Sequence, residues 1–212
     1  MKKYLVEFIG TFFLVLTIVM SVLGGAGAMA PVAIGLALMV MVYAGGHISG
    51  AHYNPAVTLA VWMRGKHETK EILPYMGAQL VGGALAAVVS AVMLGGMTGI
   101  ETSEATSIPM VPSLLAELLG TFALAFVVLN VATSKDHPNN SFYGLAIGLT
   151  VTAMAYSLGN VSGGAFNPAV AVGITVAEMK VPSDIWIFLV ANLAGGALAA
   201  LAFNFVKNES DD

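Results

Sequence analysis

Two copies of the tripeptide Asn-Pro-Ala are the residues of this chain whose chemistry is most specific. The first comprises Asn54, Pro55 and Ala56, and the second comprises Asn167, Pro168 and Ala169. Asparagine is a favoured N-cap and proline suits the first helical position, so each copy predicts the start of a helix. A helix N-terminus has about half a positive charge. Two such ends around a small cavity would attract a neutral lone-pair oxygen, offer it asparagine amide donors, and repel cations.

The helices that begin at these tripeptides are predicted to be short. Their apolar stretches run over residues 54–63 and 167–177. At 1.5 Å per residue, about ten residues cross roughly half of the ~30 Å hydrocarbon core of a bilayer. Irregular backbone at that depth is tolerated only where it is buried in protein or lines a water-filled cavity. We therefore predict two half-membrane helices that face such a cavity.

The overall composition places the chain in a membrane. Of 212 residues, 58% are hydrophobic and 9% are charged, whereas a soluble domain has about 45–50% apolar and about 25% charged residues. Longer apolar stretches, of which the second is short, cover residues 4–23, 32–44, 72–94, 113–132, 142–158 and 185–206. We do not expect the first stretch to be a signal peptide, because five more apolar stretches follow it. The predicted fold is an all-α membrane protein with six transmembrane helices and two re-entrant helices, in one domain over residues 1–212.

Composition also excludes several kinds of partner and site. Only eight Lys and Arg residues and a net charge of −4 argue against a nucleic-acid partner. The chain has no cysteine, which excludes disulfides and thiolate metal sites. No cofactor or metal is predicted, and the lipid bilayer is the expected partner. An enzyme is not expected, because no span contains a His/carboxylate cluster or a nucleotide-binding loop.

Three pairs of segments indicate that the chain consists of two copies of one pattern. Residues 49–57 match 162–170 at six of nine positions and 80–87 match 193–200 at seven of eight, both at an offset of 113 (167 − 54 = 113), and 7–12 match 117–122 at four of six. Repeat one covers about residues 1–97 and repeat two about 111–206. Each repeat has three spans, an odd number, so the second is inverted relative to the first. Inverted repeats with interrupted helices have their functional site near the bilayer midplane.

The distribution of basic residues predicts the orientation. With a cytoplasmic N-terminus, only Lys180 lies outside, which satisfies the positive-inside rule. The basic residues inside are then Lys2, Lys3, Arg64, Lys66, Lys70, Lys135 and Lys207. The carboxylates outside are Glu101, Glu104, Glu178 and Asp184. We expect a multi-pass protein of the cell or plasma membrane with both termini in the cytoplasm.

The chain resembles the aquaporins and glycerol facilitators, the major intrinsic protein family, over essentially its whole length. The resemblance rests on GHISGAHYNPAVT around the first tripeptide, on the paired E-x-x-G-T-F segments and on Gln79 in the third span. It implies six tilted helices and two half-helices per protomer, one pore per protomer and a homotetramer. It also implies that water and small neutral solutes are the molecules that pass.

The resemblance assigns roles to residues around each tripeptide. Backbone carbonyls along the pore are expected from Gly50, Ala51, His52, Gly163 and Ala165. Support of the re-entrant segments is expected from Glu7, Glu117 and Gln79, and a proton relay is the alternative role for the glutamates.

The four histidines are not expected to bind metal. His47 and His52 should pack and form hydrogen bonds. His67 and His137 are predicted to be solvated side chains of cytoplasmic loops, with a pH gate as the alternative.

One position departs from the family pattern. Most members have arginine directly after the second tripeptide, at the outer constriction, where this chain has Val170. Spacing to each tripeptide assigns Ile34, Ala155 and Gly164 to the other constriction positions. This ring is uncharged and wide, so we expect a passive channel for water that also passes glycerol, urea or ammonia. The alternative is a secondary transporter of a small neutral solute, a class that also has inverted repeats.

Overall fold

The computed structural model describes residues 1–95 and 107–208, which form eight α-helices and no strand. The helices are α1 (Lys2–Leu23), α2 (Ala30–Ser49), α3 (Pro55–Met63), α4 (Ile72–Met93), α5 (Met110–Val128), α6 (Tyr143–Ser162), α7 (Pro168–Val176) and α8 (Ile185–Val206). Single 3₁₀ turns precede α2, α4 and α8, and α5 continues into a π-helical turn at Leu129–Thr133. The predicted outer carboxylates Glu101 and Glu104, the end of repeat one near residue 97, and residues 209–212 lie outside the described residues.

Two classes of helix follow from length. The six long helices are apolar enough to cross a membrane, with mean hydropathy between 1.3 and 2.3. Helices α3 and α7 have nine residues each, which corresponds to about 13 Å and less than half of a bilayer core. Large apolar side chains on the outside of the bundle, such as Leu5, Leu73 and Val92, are exposed. The predicted all-α fold with six spanning and two half-membrane helices is confirmed.

Helix α2 is longer than its apolar pattern predicts. The pattern indicates a short helix over residues 32–44, but α2 has 20 residues and ends at Ser49. In its last turns, Gly45 packs directly against the buried Tyr53 side chain. Tertiary contacts therefore extend the helix beyond the apolar run. Gly50 then ends it with a φ of 88°, a left-handed conformation that favours glycine.

Glycines bring the long helices into backbone contact. A Cβ on Gly82 of α4 would lie 2.6 Å from the carbonyl oxygen of Phe8 in α1. A Cβ on Gly195 of α8 would lie 2.5 Å from the carbonyl oxygen of Leu118 in α5. Small residues at such crossings let helix backbones approach closely in a membrane. Helices α1 and α4 therefore form one close pair, and α5 and α8 form another.

The next glycine along each helix joins a half-helix to the other half of the chain. A Cβ on Gly83 of α4 would lie 2.6 Å from the Ala169 carbonyl oxygen, at the start of α7. A Cβ on Gly196 of α8 would lie 2.5 Å from the Ala56 carbonyl oxygen, at the start of α3. Helix α7 thus packs on α4, and α3 packs on α8. The two tripeptides are consequently buried in the middle of the bundle.

Candidate functional site

The two asparagines cap the half-helices as their sequence predicts. The Oδ1 atom of Asn54 accepts a hydrogen bond from the Ala56 N–H at 2.8 Å. The Oδ1 atom of Asn167 accepts from the N–H groups of Ala169 at 2.8 Å and Val170 at 3.4 Å. Both asparagines have extended backbone before the helix begins. Each half-helix therefore starts at the middle of the bundle with its N-terminus satisfied from its own cap.

The asparagine amides also join the two re-entrant segments to each other. Asn54 donates from Nδ2 to the carbonyl oxygen of Phe166 at 2.9 Å, and Asn167 donates from Nδ2 to that of Tyr53 at 2.8 Å. The sequence predicts that the asparagine amide donors face a passing molecule. This expectation is corrected in part, because one N–H of each amide crosses to the opposite segment and only the other remains available to the cavity.

A buried glutamate holds the first re-entrant segment. Glu7 is fully buried. Its Oε1 atom accepts from Ser49 Oγ at 2.7 Å and from the His52 N–H at 3.0 Å. Its Oε2 atom accepts from the Tyr53 N–H at 2.7 Å and from Gln79 Nε2 at 2.8 Å. The carboxylate thus satisfies backbone N–H groups that have no helical partner.

A second glutamate repeats this arrangement at the other segment. Glu117 is also fully buried. Its Oε1 atom accepts from Ser162 Oγ at 2.6 Å and from the Ala165 N–H at 2.9 Å. Its Oε2 atom accepts from the Phe166 N–H at 2.7 Å. Both glutamates are hydrogen-bonded to re-entrant backbone, which is the geometry that a supporting role requires.

Asn192 is a buried polar residue that the sequence motifs do not predict. It is fully buried in α8, and its Oδ1 atom accepts from Thr121 Oγ1 at 2.9 Å. The repeat offset contained the signal, because adding it to Gln79 leads to this position (79 + 113 = 192). Gln79 and Asn192 are different residue types, so a comparison of the repeats by sequence identity does not detect this pair.

The segments before the two tripeptides have left-handed backbone. Ala51 and Tyr53 have φ values of 52° and 49°, and Phe166 has a φ of 49°. Non-glycine residues adopt such angles at a cost of about 1–3 kcal/mol, which the surrounding structure must offset. The glutamate bonds described above and the tight burial of the Tyr53 and Phe166 rings against Gly10 and Gly120 provide that support.

One cavity of about 720 Å³ begins between the two asparagines. The four predicted constriction residues, Ile34, Ala155, Gly164 and Val170, all line it. Of the residues predicted to supply backbone carbonyl acceptors, Ala51, His52, Gly163 and Ala165 line it and Gly50 does not. Residues far apart in the chain are therefore brought together around one space.

The cavity runs away from the face of the bundle where α1 begins and α8 ends, here called the termini face. Its other end, at the opposite face, is lined by Tyr156, Asn160, Glu178 and Lys180. The walls between the asparagines and this end are mainly apolar. Within residues 1–95 and 107–208, no group of three or more His, Cys, Asp or Glu side chains is arranged to hold a metal ion.

On the termini face, two histidines and a tyrosine form a ring cluster. The His52 and His67 ring centroids are 5.0 Å apart, and those of His67 and Tyr75 are 4.4 Å apart. His52 Nδ1 lies 3.1 Å from Thr58 Oγ1. The prediction that His67 is a solvated loop residue is wrong, because the loop folds back and packs its ring on this cluster. Burial lowers the pKa of His67, an effect that Glu71 opposes. His137 is exposed.

Comparison with known proteins identifies the family. A family model described as major intrinsic protein matches residues 1–203. The chain belongs to the major intrinsic protein family. Within this family, the glycerol uptake facilitator protein-like 6 of Lactiplantibacillus plantarum is 37% identical over 217 residues, which cover 99% of this chain and 100% of the relative. The aquaporin AqpM of Methanothermobacter thermautotrophicus is 32% identical over 244 residues, 98% of each chain.

A solved structure shares the fold of this major intrinsic protein. The X-ray structure of the aquaglyceroporin from Plasmodium falciparum superposes with a TM-score of 0.83 over 97% of this chain and 96% of that one, at 22% identity. Family membership and six apolar helices identify a multi-pass membrane protein. They support a channel for water and small solutes.

Proposed function

We propose that this protein is a passive channel for water whose wide constriction also passes small uncharged solutes such as glycerol, urea and ammonia. The observation that supports this most is the cavity between the two asparagine caps. Ile34, Ala155, Gly164 and Val170 line it, and none of these four side chains has a charge or a hydrogen-bonding group. A ring of this kind limits size weakly and leaves selection against ions to other groups.

The asparagine pair supplies the selection near the midplane. Each caps a helix N-terminus, so two positive helix ends face the cavity. One N–H of each amide is held by the opposite segment, and the other can donate to a water or hydroxyl oxygen. Backbone carbonyls of the left-handed segments offer acceptors nearby. A neutral molecule can therefore exchange hydrogen bonds along the cavity, whereas a cation meets repulsion.

The orientation and assembly are part of this proposal. Basic residues concentrate on the termini face, so this face is assigned to the cytoplasm and the Lys180 end to the outside. The cell or plasma membrane is the expected location. The exposed apolar faces of the long helices would contact lipid and neighbouring protomers of a homotetramer.

Reconstitution in liposomes tests the proposed function. Osmotic shrinkage in a sucrose gradient measures water flux, and reswelling in glycerol or urea gradients measures solute entry, with empty liposomes as the control. A passive channel gives fluxes that rise linearly with the gradient and need no ion gradient. Saturating solute entry, or entry driven by sodium or protons, would instead indicate the secondary transporter.

A further inference from the structure

Lys180 lies at the cavity end that the proposed function assigns to the outside. It belongs to the loop between α7 and α8 and is the only basic residue predicted on that side. Its side chain lines the same cavity as Gly164 and Val170. Val170 occupies the position at which most family members have the constriction arginine. The chain therefore has a cationic side chain near the outer constriction, but not at the position of that arginine.

Gly163 makes room for the lysine side chain. A Cβ on Gly163 would overlap Cε of Lys180 and would lie 2.6 Å from Nζ. Gly163 also has a φ of 105°, which disfavours any larger residue. The ammonium group therefore lies against the backbone that leads directly into Gly164, one of the predicted constriction residues.

Negative charge around this position attracts the ammonium group. Helix α6 ends at Ser162, so its negative C-terminal end points at the lysine. Burial lowers the pKa of Lys180, and the carboxylates of Glu117 and Asp184 oppose this effect. Within residues 1–95 and 107–208, Lys180 makes no hydrogen bond or ion pair. Among the described residues, no direct partner therefore neutralises this charge in the cavity wall.

We propose that Lys180 is a specificity-determining residue that supplies the fixed positive charge of the outer constriction, displaced from the position of Val170 to the wall beside Gly163 and Gly164. This inference rests on the proposed channel function. The displaced charge leaves the opening wide, because the uncharged ring still sets its size, and it still raises the barrier for cations. Such a channel passes larger neutral solutes than a channel with arginine in the ring. It excludes cations at two places, the helix ends at the midplane and Lys180 at the outer constriction.

Two solutes of nearly the same size separate charge from width. Urea and guanidinium are both planar and similar in dimensions, but only guanidinium is a cation. The ratio of guanidinium to urea entry into liposomes therefore reports the charge barrier. One unit charge ~12 Å from the path of a cation changes cation entry by about tenfold at an effective dielectric constant of ~20, and a closer charge changes it more.

The experiment compares wild type with K180M, K180R and K66M. Methionine keeps the length of the side chain and removes its charge, and arginine keeps the charge. Lys66 is exposed in a loop on the termini face and provides the matched control. K180M is expected to raise the guanidinium-to-urea ratio about tenfold with water flux within twofold of wild type. K180R and K66M should keep the wild-type ratio.

Several results would overturn the inference. An unchanged ratio in K180M with intact water flux would exclude a charge barrier at Lys180. A raised ratio in K180R would assign the effect to packing. If K180M does not fold, K180Q is measured in its place, and failure of both to fold would make Lys180 a structural residue. Absence of water flux in wild type would instead contradict the proposed function. That failure is distinguishable from failure of the inference, because the inference fails only when wild type conducts water and the ratio in K180M is unchanged.

Discussion

The two re-entrant segments share one backbone scaffold and differ in the side chains around it. In each, a buried glutamate accepts from a serine hydroxyl and two successive backbone N–H groups. In each, an asparagine caps the half-helix and donates across to the other segment. The distances of matching bonds differ by at most 0.1 Å. The scaffold is therefore duplicated almost without change.

The side chains at matching positions are not duplicated. His52 and Thr58 of the first segment form a close polar contact, and the matching residues of the second are Ala165 and Ala171 (52 + 113 = 165; 58 + 113 = 171). The second segment is thus lined by small apolar side chains, and its polar groups are mainly backbone. The polar contact between His52 and Thr58 therefore has no counterpart in the second segment.

The loop after each half-helix shows the same divergence. His67 of the first repeat and Lys180 of the second occupy matching positions (67 + 113 = 180). Each side chain folds back onto its own re-entrant segment, His67 against the His52 ring and Lys180 against Gly163. One position therefore provides an aromatic neighbour on the termini face and a cation on the opposite face. A duplicated scaffold allows each end of a channel to acquire its own selectivity.

The largest expected effect comes from removing the scaffold. Glu7→Ala and Glu117→Ala each leave three or more buried donors without an acceptor, at about 1–3 kcal/mol per donor. Both should lower the free energy of unfolding by several kcal/mol and by similar amounts, measured as thermal unfolding in detergent. The Gln variants, which keep one acceptor oxygen, should lose less. A dispensable glutamate in one repeat would show that the scaffolds are not equivalent.

The next effect should come from the midplane. Asn54→Asp and Asn167→Asp each introduce a carboxylate where a positive helix end now faces the cavity. A negative charge ~6 Å from a passing cation contributes about 3 kcal/mol at an effective dielectric constant of ~20, roughly a hundredfold in rate. Sodium entry into liposomes should rise for both variants. Unchanged ion exclusion in either would contradict the midplane barrier.

A smaller effect is expected at the constriction position that differs from the family. Val170→Arg should reduce glycerol and urea entry about tenfold, which corresponds to ~1.4 kcal/mol of barrier, and water flux much less. Val170→Met fills space without charge and is the control. Swelling assays that compare water, glycerol and urea measure the ratios. Equal loss of water and glycerol flux would contradict the assignment of Val170 to the constriction.

The smallest effect concerns pH at the termini face. The pKa of His67 is lowered by burial in the folded protein, so the unfolded chain binds a proton first as the pH falls below about 6.5. The free energy of unfolding should therefore decrease between pH 7 and pH 5, and His67→Gln should remove part of this loss, about 1 kcal/mol or less. The exposed His137 provides the matched variant His137→Gln, which should behave as wild type. Thermal unfolding at the two pH values decides between these outcomes.

Most of the fold follows from the sequence, because the bilayer imposes one requirement on every spanning segment. A segment of about 20 apolar residues must satisfy its backbone as a helix, so counting such segments yields the six spans. The error in the length of α2 arises where a tertiary contact, and not the bilayer, determines the end of the helix. Its last turns are held by Gly45 against Tyr53, and a tertiary contact of this kind leaves no apolar periodicity.

The site is predicted less completely than the fold. The tripeptides, the glutamates and Gln79 are identified by sequence motifs, and Asn192 could have been found by applying the repeat offset to Gln79. The packing of His67 could not, since nothing local distinguishes a loop histidine in water from one folded against a ring. Lys180 likewise looks like an ordinary basic loop residue until the position of Gly163 is known.

The sequence alone determined the number of spans, the two helix starts and the pairing of positions between repeats, because each depends on residues close together in the chain or on a constant offset. Only the tertiary structure decided how the asparagine amide hydrogens are shared and which side chains line the cavity. Those features depend on distances between residues more than a hundred positions apart, such as Asn54 and Phe166. Such distances become defined only when glycines let the helices pack to backbone contact.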